Sequence, residues 1–161
     1  PWILKNDVKV LIAPHNVDQK HIEQLMRKLP NSVLYSKALL TDIQNTRVMI
    51  LDTIGHLASA YKYGEIAYVG GGFSGSLHNI LEPAVFGLPV LFGPKFSRFP
   101  EAQTFIDNGF GYSISSTEEF ALTLEKIDKN YNEISEKEIS FIQENTGASD
   151  KIILKVDSIS N

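Results

Sequence analysis

The residue types most suited to chemistry lie in one glycine-rich stretch, VGGGFSGSLHNILEPAVFGLPVLFGP, which covers residues 69–94. Its glycines let the backbone approach a ligand closely or adopt positive φ. Ser74 and Ser76 add hydroxyl donors. If a helix begins directly behind this loop, its free N–H groups and positive dipole end favour an anion such as phosphate. The glycines alone fit equally well with a tight turn that packs a helix on a sheet.

Asn79 and Glu82 follow the loop and are three residues apart. In a helix this spacing places both side chains on one face. A carboxylate there can accept two ribose hydroxyls, although Glu82 could also be present only because the helix dipole favours an acid in the first turns. His78, beside them, fits ligand contact and simple solvent exposure equally.

Three further loops carry polar residues that follow predicted strands. Thr53 and the amides around Gly55 could hold a phosphate or a base, although such a turn is also a common helix cap. His15 directly follows the first predicted strand and could bind phosphate. Lys95 and Arg98 could pair with an anionic sugar or with phosphate, but cations at such positions are more often only solvated.

Several classes of function are disfavoured. The glycines lack G-x-G-x-x-G spacing and the loop lacks a Walker lysine, which argues against dinucleotide and P-loop sites. There are no cysteines, so thiolate metal sites and cysteine nucleophiles are absent. The four histidines have no metal-ligand spacing. A net charge of -4 without a basic block argues against a nucleic-acid partner.

Short apolar runs alternate with amphipathic stretches and predict six strands and at least five helices. The predicted strands cover 8–13, 32–35, 47–51, 65–69, 89–92 and 111–115. The predicted helices run from a cap at Asp18 to Leu29, over 56–63, 77–86 and 99–108, and onward from a cap at Thr117. The tail from Tyr131 is expected to be mostly helical, with a break near Gly147.

This alternation predicts an α/β fold, with a Rossmann-like parallel sheet of about six strands and helices on both faces. Continuous apolar strands agree with a parallel sheet that is buried on both sides. We expect residues 1–161 to form one domain. Ligands in such folds bind outside the carboxyl ends of the strands, where the loops 14–16, 52–55, 70–76 and 93–98 are predicted to lie.

Three motifs together resemble those of the 3-deoxy-D-manno-octulosonic acid (Kdo) transferases, over about 8–115. They are a glycine loop followed by His78-Asn79-x-x-Glu82-Pro83-Ala84, then Gly87-x-Pro89-Val90-Leu91-x-Gly93-Pro94, and a turn Asp52-Thr53-x-Gly55-x-Leu57 followed by Tyr61. The resemblance implies the C-terminal, donor-binding half of a GT-B glycosyltransferase. The N-terminal acceptor domain would then be absent, which agrees with a fragment-like start at Pro1, and 148–161 is a candidate for the helix that crosses to it.

By position, the resemblance implies donor-binding roles for His15, Thr53, Gly55, Gly71, Gly72, Asn79 and Glu82. The chemistry of their own side chains adds Ser74, Ser76, His78 and Lys95 to the candidate donor-binding residues. Asn79 and Glu82 would contact the nucleotide, with Glu82 on the ribose. The sequence departs from the family at Asn16, where an arginine is usual, and at His56, where an acid is common. The family's catalytic base lies in the N-terminal domain, so no catalytic residue is expected in this chain and the chain alone should be inactive.

The activity implied by the resemblance is inverting transfer of Kdo from CMP-Kdo to lipid A precursor in lipopolysaccharide biosynthesis, without a metal or other cofactor. The full-length enzyme would act at the cytoplasmic face of the bacterial inner membrane, with its own N-terminal domain as partner, while this fragment is expected to be soluble. Two alternatives stay open. One is a UDP-sugar-dependent GT-B glycosyltransferase or nucleotide-sugar epimerase domain, and the other is a non-catalytic interaction module that keeps the fold.

Overall fold

Six short strands are present in the residues that the computed structural model describes, which are 6–39 and 44–147. They divide equally between two compact units, Pro1–Ala60 (unit 1) and Tyr61–Asn161 (unit 2). Every strand pair is parallel. The predicted α/β class with parallel pairing is therefore confirmed, but the strands form two three-stranded sheets and not one six-stranded sheet.

Unit 1 contains a sheet in the order β1-β3-β2. Its strands are β1 (Val10–Ile12), β2 (Val33–Leu34) and β3 (Val48–Ile50), and its helices are α1 (Gln19–Lys28) and α2 (Leu57–Ala60). A 3₁₀ turn, Tyr35–Lys37, follows β2. Asp18 caps α1 as predicted, because its carboxylate accepts a hydrogen bond from the His21 amide at 3.1 Å.

Unit 2 contains a sheet in the order β4-β5-β6. Its strands are β4 (Ala67–Val69), β5 (Val90–Phe92) and β6 (Gly111–Ser113). A 3₁₀ turn, Tyr61–Tyr63, precedes β4, and the helices are α3 (Leu81–Ala84), α4 (Pro100–Asn108) and α5 (Thr117–Glu144). Gly109 ends α4 in the left-handed conformation at φ 83°, which a residue with a side chain rarely adopts.

Both faces of the unit 2 sheet are covered by apolar side chains. Val90 and Phe92 point to one face, where they meet residues of α4 such as Phe105. Leu91 points to the other face and meets Ile127 of α5. Helix α5 reaches both clusters through Ile134, and a non-helical residue inside it, Asn130 (φ -129°, ψ 19°), marks a kink. The expected helices on both faces are present in this unit.

The cap of α5 differs from the prediction by one residue. Ser116, and not Thr117, is the N-cap, since its hydroxyl accepts the Glu119 amide at 3.1 Å. The Glu119 carboxylate reaches back to the Ser115 amide at 2.7 Å. Ser116 has a glutamate three positions later and Thr117 has Phe120 there, so the spacing of a capping box favours Ser116.

Two predicted helices are shorter than expected. The helix over 77–86 is reduced to α3, because the His78 amide donates to Gly70 O at 3.1 Å instead of starting a helical turn. The helix over 56–63 is divided into α2 and the 3₁₀ turn. Helix α5 ends at Glu144, and Gly147 has φ 84°, at the place where the sequence predicts a break. The candidate crossover helix, 148–161, lies outside the described residues.

Within residues 6–39 and 44–147, none of the helices combines the length and the apolar character that crossing a lipid bilayer would require.

Candidate functional site

The glycine loop after β4 is a turn closed by its own hydrogen bonds. Gly71 O accepts the amides of residues 74, 75 and 76 at 3.1, 3.0 and 3.0 Å, and the Ser74 hydroxyl at 2.9 Å. Gly71 has φ 88°, and a Cβ there would lie 1.9 Å from Ser76 O. Glycine is therefore required by the turn itself. The amides of residues 74, 75 and 76 are thus already bonded inside the loop.

Gly72 brings this loop against the segment that follows β5. A Cβ on Gly72 would lie 2.5 Å from Gly93 N, and one on Gly93 would lie 2.6 Å from Gly72 C. The Lys95 amide donates to Gly72 O at 2.7 Å. The two backbone segments meet here with no room for a side chain. The contact holds the Lys95 backbone beside the glycine loop.

The predicted anion site at a helix N-terminus behind the loop is wrong. Helix α3 begins at Leu81, five positions after Ser76, and is a single four-residue turn. Such a short helix has little dipole and few aligned amides to offer. The N-terminus of a long helix is therefore not part of this loop.

Side chains suited to an anion line a cavity of about 310 Å³ at the carboxyl ends of β4 and β5. We call it the cationic pocket, and its lining residues are Ser74, Gly75, Lys95, Ser97 and Arg98. Neither Lys95 nor Arg98 forms an ion pair with any residue that the structure describes. Sequence reasoning named Ser74, Lys95 and Arg98 but missed Ser97, because a lone serine carries no signal of its own.

Asn79 and Glu82 come together as predicted, but for a different reason. Asn79 precedes α3, accepts the Leu81 amide on Oδ1 at 3.0 Å, and donates from Nδ2 to Glu82 Oε1 at 3.0 Å. They therefore do not share a helix face. Glu82 lies in the first turn of α3. Its Oε2 has no hydrogen-bond partner among the described residues, so that oxygen remains available to a hydroxyl.

Tyr61 lies near this carboxylate. Burial raises the pKa of its phenol, and the negative charge of Glu82 raises it further. The Tyr61 ring also contacts the Phe86 ring, with 6.4 Å between centroids. The Glu82 carboxylate thus has one amide donor, from Asn79, and a phenol close enough to feel its charge.

His78 and Ser76 are placed by the glycine loop. His78 Cδ2 would lie 2.7 Å from a Cβ on Gly71, so the imidazole packs directly on the turn. Ser76 provides both the amide and the carbonyl that surround Gly71. Both side chains are exposed, and both stay predictions as ligand contacts.

The carboxyl edge of the unit 1 sheet carries the predicted residues Thr53 and Gly55. The Asp52 carboxylate accepts the Ser36 amide at 2.9 Å and the Ser36 hydroxyl at 2.5 Å. Partial burial acts to raise the Asp52 pKa, but the Ser36 hydrogen bonds outweigh it and the pKa lies below its ordinary value. Thr53 Oγ1 is buried without a partner among the described residues, and Gly55 has φ 89° with open space where a side chain would be.

Two rings lie at the same edge. Tyr35 and His56 have ring centroids 5.3 Å apart. His56 is one of the two residues that depart from the family pattern, and its ring is tilted by 47° against the Tyr35 ring.

His15 lines a second cavity, of about 280 Å³, in unit 1. The lining residues are Pro14, His15, Asn16, His21, Gln24, Leu25 and Lys28. His21 is bonded to Asp18, and the pKa of that carboxyl is lowered, mainly by the hydrogen bond from the His21 amide. Sequence reasoning missed Lys28 and His21. Their seven-residue spacing, which puts them on one face of α1, was the available signal.

No protein-family model matches the chain. A 3-deoxy-D-manno-octulosonic acid transferase of Chlamydophila psittaci is 34% identical over 119 residues, covering 71% of this chain and 27% of that protein. The corresponding transferase of Aquifex aeolicus is 26% identical over 137 residues, covering 84% of this chain and 38% of that protein. The chain is related to the Kdo transferases. The resemblance predicted from the three motifs is thereby confirmed.

Two further comparisons define the extent of the relationship. A bifunctional glycosyltransferase/methyltransferase of Fusobacterium nucleatum is 29% identical over 167 residues, covering 98% of this chain and 25% of that protein. The crystal structure of the C-terminal CMP-Kdo binding domain of WaaA from Acinetobacter baumannii superposes with a TM-score of 0.74 at 20% identity, covering 89% of this chain and 78% of that one. The fold is that of this domain. The chain spans 25–38% of the length of these three curated relatives.

Proposed function

We propose that this chain is the donor-binding part of a glycosyltransferase that transfers Kdo from CMP-Kdo to a lipid A precursor. The observation that carries the proposal is the Asn79–Glu82 pair beside a preformed glycine loop, in a chain related to the Kdo transferases. The relatives' name and the fold match to a CMP-Kdo binding domain support this donor. The acceptor, the membrane-face location and a separate N-terminal domain are part of the same proposal.

In this proposal each predicted residue has a defined task. Glu82 accepts ribose hydroxyls, and Asn79 orients its carboxylate through the 3.0 Å hydrogen bond. Lys95 and Ser74 contact the phosphate, and Gly71 and Gly72 build the loop that places them. The remaining contacts proposed for the donor are those of His15, Thr53, Gly55, Ser76 and His78.

The chemistry of the full enzyme is an in-line displacement at the anomeric carbon. A carboxylate in the N-terminal domain takes the proton of the acceptor hydroxyl, that oxygen bonds to the anomeric carbon, and CMP departs with the electron pair of the broken C–O bond. Positive charge in this chain stabilises the departing phosphate. The proposal includes no metal or other cofactor. This chain alone would bind nucleotide and transfer nothing.

Isothermal titration of the chain with CMP tests the proposal. We expect heat of binding for the wild type and loss of at least tenfold in affinity for Glu82→Ala, because the ribose acceptor is removed. Glu133→Ala, an exposed acid on α5, is the matched control and should bind like the wild type. Absence of CMP binding, or equal affinity in the Glu82→Ala variant, contradicts the proposal.

The same titration separates the two alternatives. Tighter binding of UDP than of CMP would favour a UDP-sugar enzyme. A non-catalytic module predicts that no nucleotide raises the melting temperature, whereas a ligand at a hundred times its Kd stabilises a protein by about 2.7 kcal/mol.

A further inference from the structure

The cationic pocket brings two positively charged side chains to one cavity. Lys95 and Arg98 both line it, and neither is paired with an acid in the described part of the chain. Two unpaired cations at one cavity repel each other, and an anion between them removes that repulsion. The two serine hydroxyls of the pocket add donors for oxygen atoms of such a ligand.

The backbone around the pocket is held in place by contacts that involve no ligand. The Lys95 amide is bonded to Gly72 O at 2.7 Å. Phe96 packs edge-on against Phe92, with ring centroids 5.3 Å apart, and the Phe99 amide donates to Phe96 O at 2.8 Å. Because Phe96 and Phe99 pack on the core of unit 2, the cations on either side of Phe96 are carried by an ordered segment.

The proposed donor has two anions that are close neighbours. In a CMP-linked ulosonic acid, the anomeric carbon carries both the phosphate oxygen and a carboxylate. A neutral sugar donor has the phosphate but lacks the carboxylate. A pocket with one cation for each anion therefore distinguishes these two classes of donor, since a neutral sugar leaves one cation unpaired.

We propose that the cationic pocket binds the carboxylate of the donor sugar, and that Arg98 is the residue that selects an acidic sugar. This inference rests on the proposed donor-binding function. Arg98 is assigned to the carboxylate because its planar fork can donate two parallel hydrogen bonds to it. Lys95 is assigned to the phosphate, because the Gly72 contact places it beside the glycine loop.

The test compares CMP with freshly synthesised CMP-Kdo by titration into the full chain. We expect Arg98→Gln to weaken CMP-Kdo binding about tenfold or more, because a charged hydrogen-bonded pair is lost. The affinity for CMP should stay unchanged. Lys95→Gln should weaken the binding of both ligands. Arg98→Lys keeps the charge but loses the planar fork of the guanidinium. Its affinity for CMP-Kdo should lie between those of wild type and Arg98→Gln. Arg27→Gln, an exposed arginine of unit 1, is the matched control.

The outcomes separate this inference from the proposed function. Suppose that CMP binds and that Glu82→Ala weakens CMP binding, but that Arg98→Gln changes the affinities for CMP and CMP-Kdo equally or not at all. The assignment of the carboxylate to Arg98 is then wrong, while the donor-binding function stands. If wild type binds CMP-Kdo no more tightly than CMP, the carboxylate subsite is also wrong. If neither ligand binds, both proposals fail.

Discussion

Glu138 is a carboxyl group with no exposed surface, and neither of its oxygens has a hydrogen-bond partner in the described residues. Burial raises its pKa to about 9. It is therefore protonated at neutral pH, since an ionised carboxylate without a partner is costly to bury. The residue acts as a neutral core side chain of α5 at neutral pH. Burial raises the pKa of Tyr112, and the negative charge that Glu138 gains above its own pKa raises it further.

This residue predicts a pH dependence of stability. The folded pKa lies above the ordinary value of 4.5, so the folded state holds one more proton than the unfolded state between these values. The free energy of unfolding should then fall as pH rises from about 5 to 9, by up to roughly 1.4 kcal/mol per pH unit.

Glu138→Gln should flatten that dependence, because the amide does not titrate. Urea unfolding of wild type and variant at pH 5, 7 and 8.5 measures it. The exposed variant Glu133→Gln should keep the wild-type slope. Parallel curves for wild type and Glu138→Gln would show that the buried carboxyl does not cause the effect.

Gly72 and Gly70 form a second test at the level of single residues. Gly72→Ala places a methyl 2.5 Å from backbone, whereas Gly70→Ala meets nothing within 4 Å and needs no positive φ. The added methyl would overlap the Gly93 backbone, so we expect Gly72→Ala to lower the free energy of unfolding by about 3 kcal/mol or more. Gly70→Ala should change it by less than about 1 kcal/mol. Similar losses in thermal or urea unfolding would contradict the backbone contact with Gly93.

Residue spacing predicts the Asn79–Glu82 pair correctly and its geometry incorrectly. The carboxylate and the amide meet, but Asn79 does so from outside the helix through an Asx-type bond to Leu81. The cationic pocket is only partly predictable, because it depends on a contact between segments that are distant in sequence. Ser74 and Lys95 are distant in sequence, and the Gly72–Gly93 approach that brings their segments together is a tertiary contact.

Among the elements, α3 and the turn before it are the most informative. Asn79→Ala removes the hydrogen bonds to Leu81 and Glu82, and we expect about 1 kcal/mol of stability to be lost. CMP affinity should fall as well, because Glu82 is no longer oriented.

Asn79→Ser separates these two effects. A serine oxygen can still accept the Leu81 amide, though more weakly, but it cannot reach Glu82 as the longer amide does. Stability should therefore lie closer to wild type than to Asn79→Ala, while CMP affinity should match that of Asn79→Ala. Melting temperatures and titration heats measure the two properties separately. Wild-type affinity in Asn79→Ser would remove the orienting role.

Element positions are predicted better than element lengths. Each of the six strands lies inside its predicted range, since buried parallel strands have continuous apolar runs. The helix over 77–86 fails at its start, because the amide of His78 is bonded to Gly70 O. Such a bond joins residues by tertiary geometry and leaves no periodic trace in the sequence.

For the whole molecule, alternation of strands and helices predicts parallel pairing but not the grouping of the strands. Local patterns show that a strand follows a helix, whereas which strands are neighbours depends on long-range packing. The division into the β1-β3-β2 and β4-β5-β6 sheets could therefore not be predicted from local sequence patterns.

The two units should differ in local stability. Every residue of β5 is fully buried, whereas Leu11 in β1 is 43% exposed. Backbone amides protected by a buried core open less often. We expect amide hydrogens of β5 to exchange at least tenfold more slowly than those of β1, as followed by mass spectrometry of peptides. Equal protection of the two strands would contradict a difference in core packing.

The closed turn around Gly71 has a consequence for the rate of ligand binding. Four donors already meet one carbonyl oxygen, so under the proposed function a nucleotide does not have to order this turn on binding. Little conformational entropy is then lost on association. The association rate constant should then be that of ordinary diffusional binding. Nucleotide sugars that fit the site well or badly should differ chiefly in their dissociation rates.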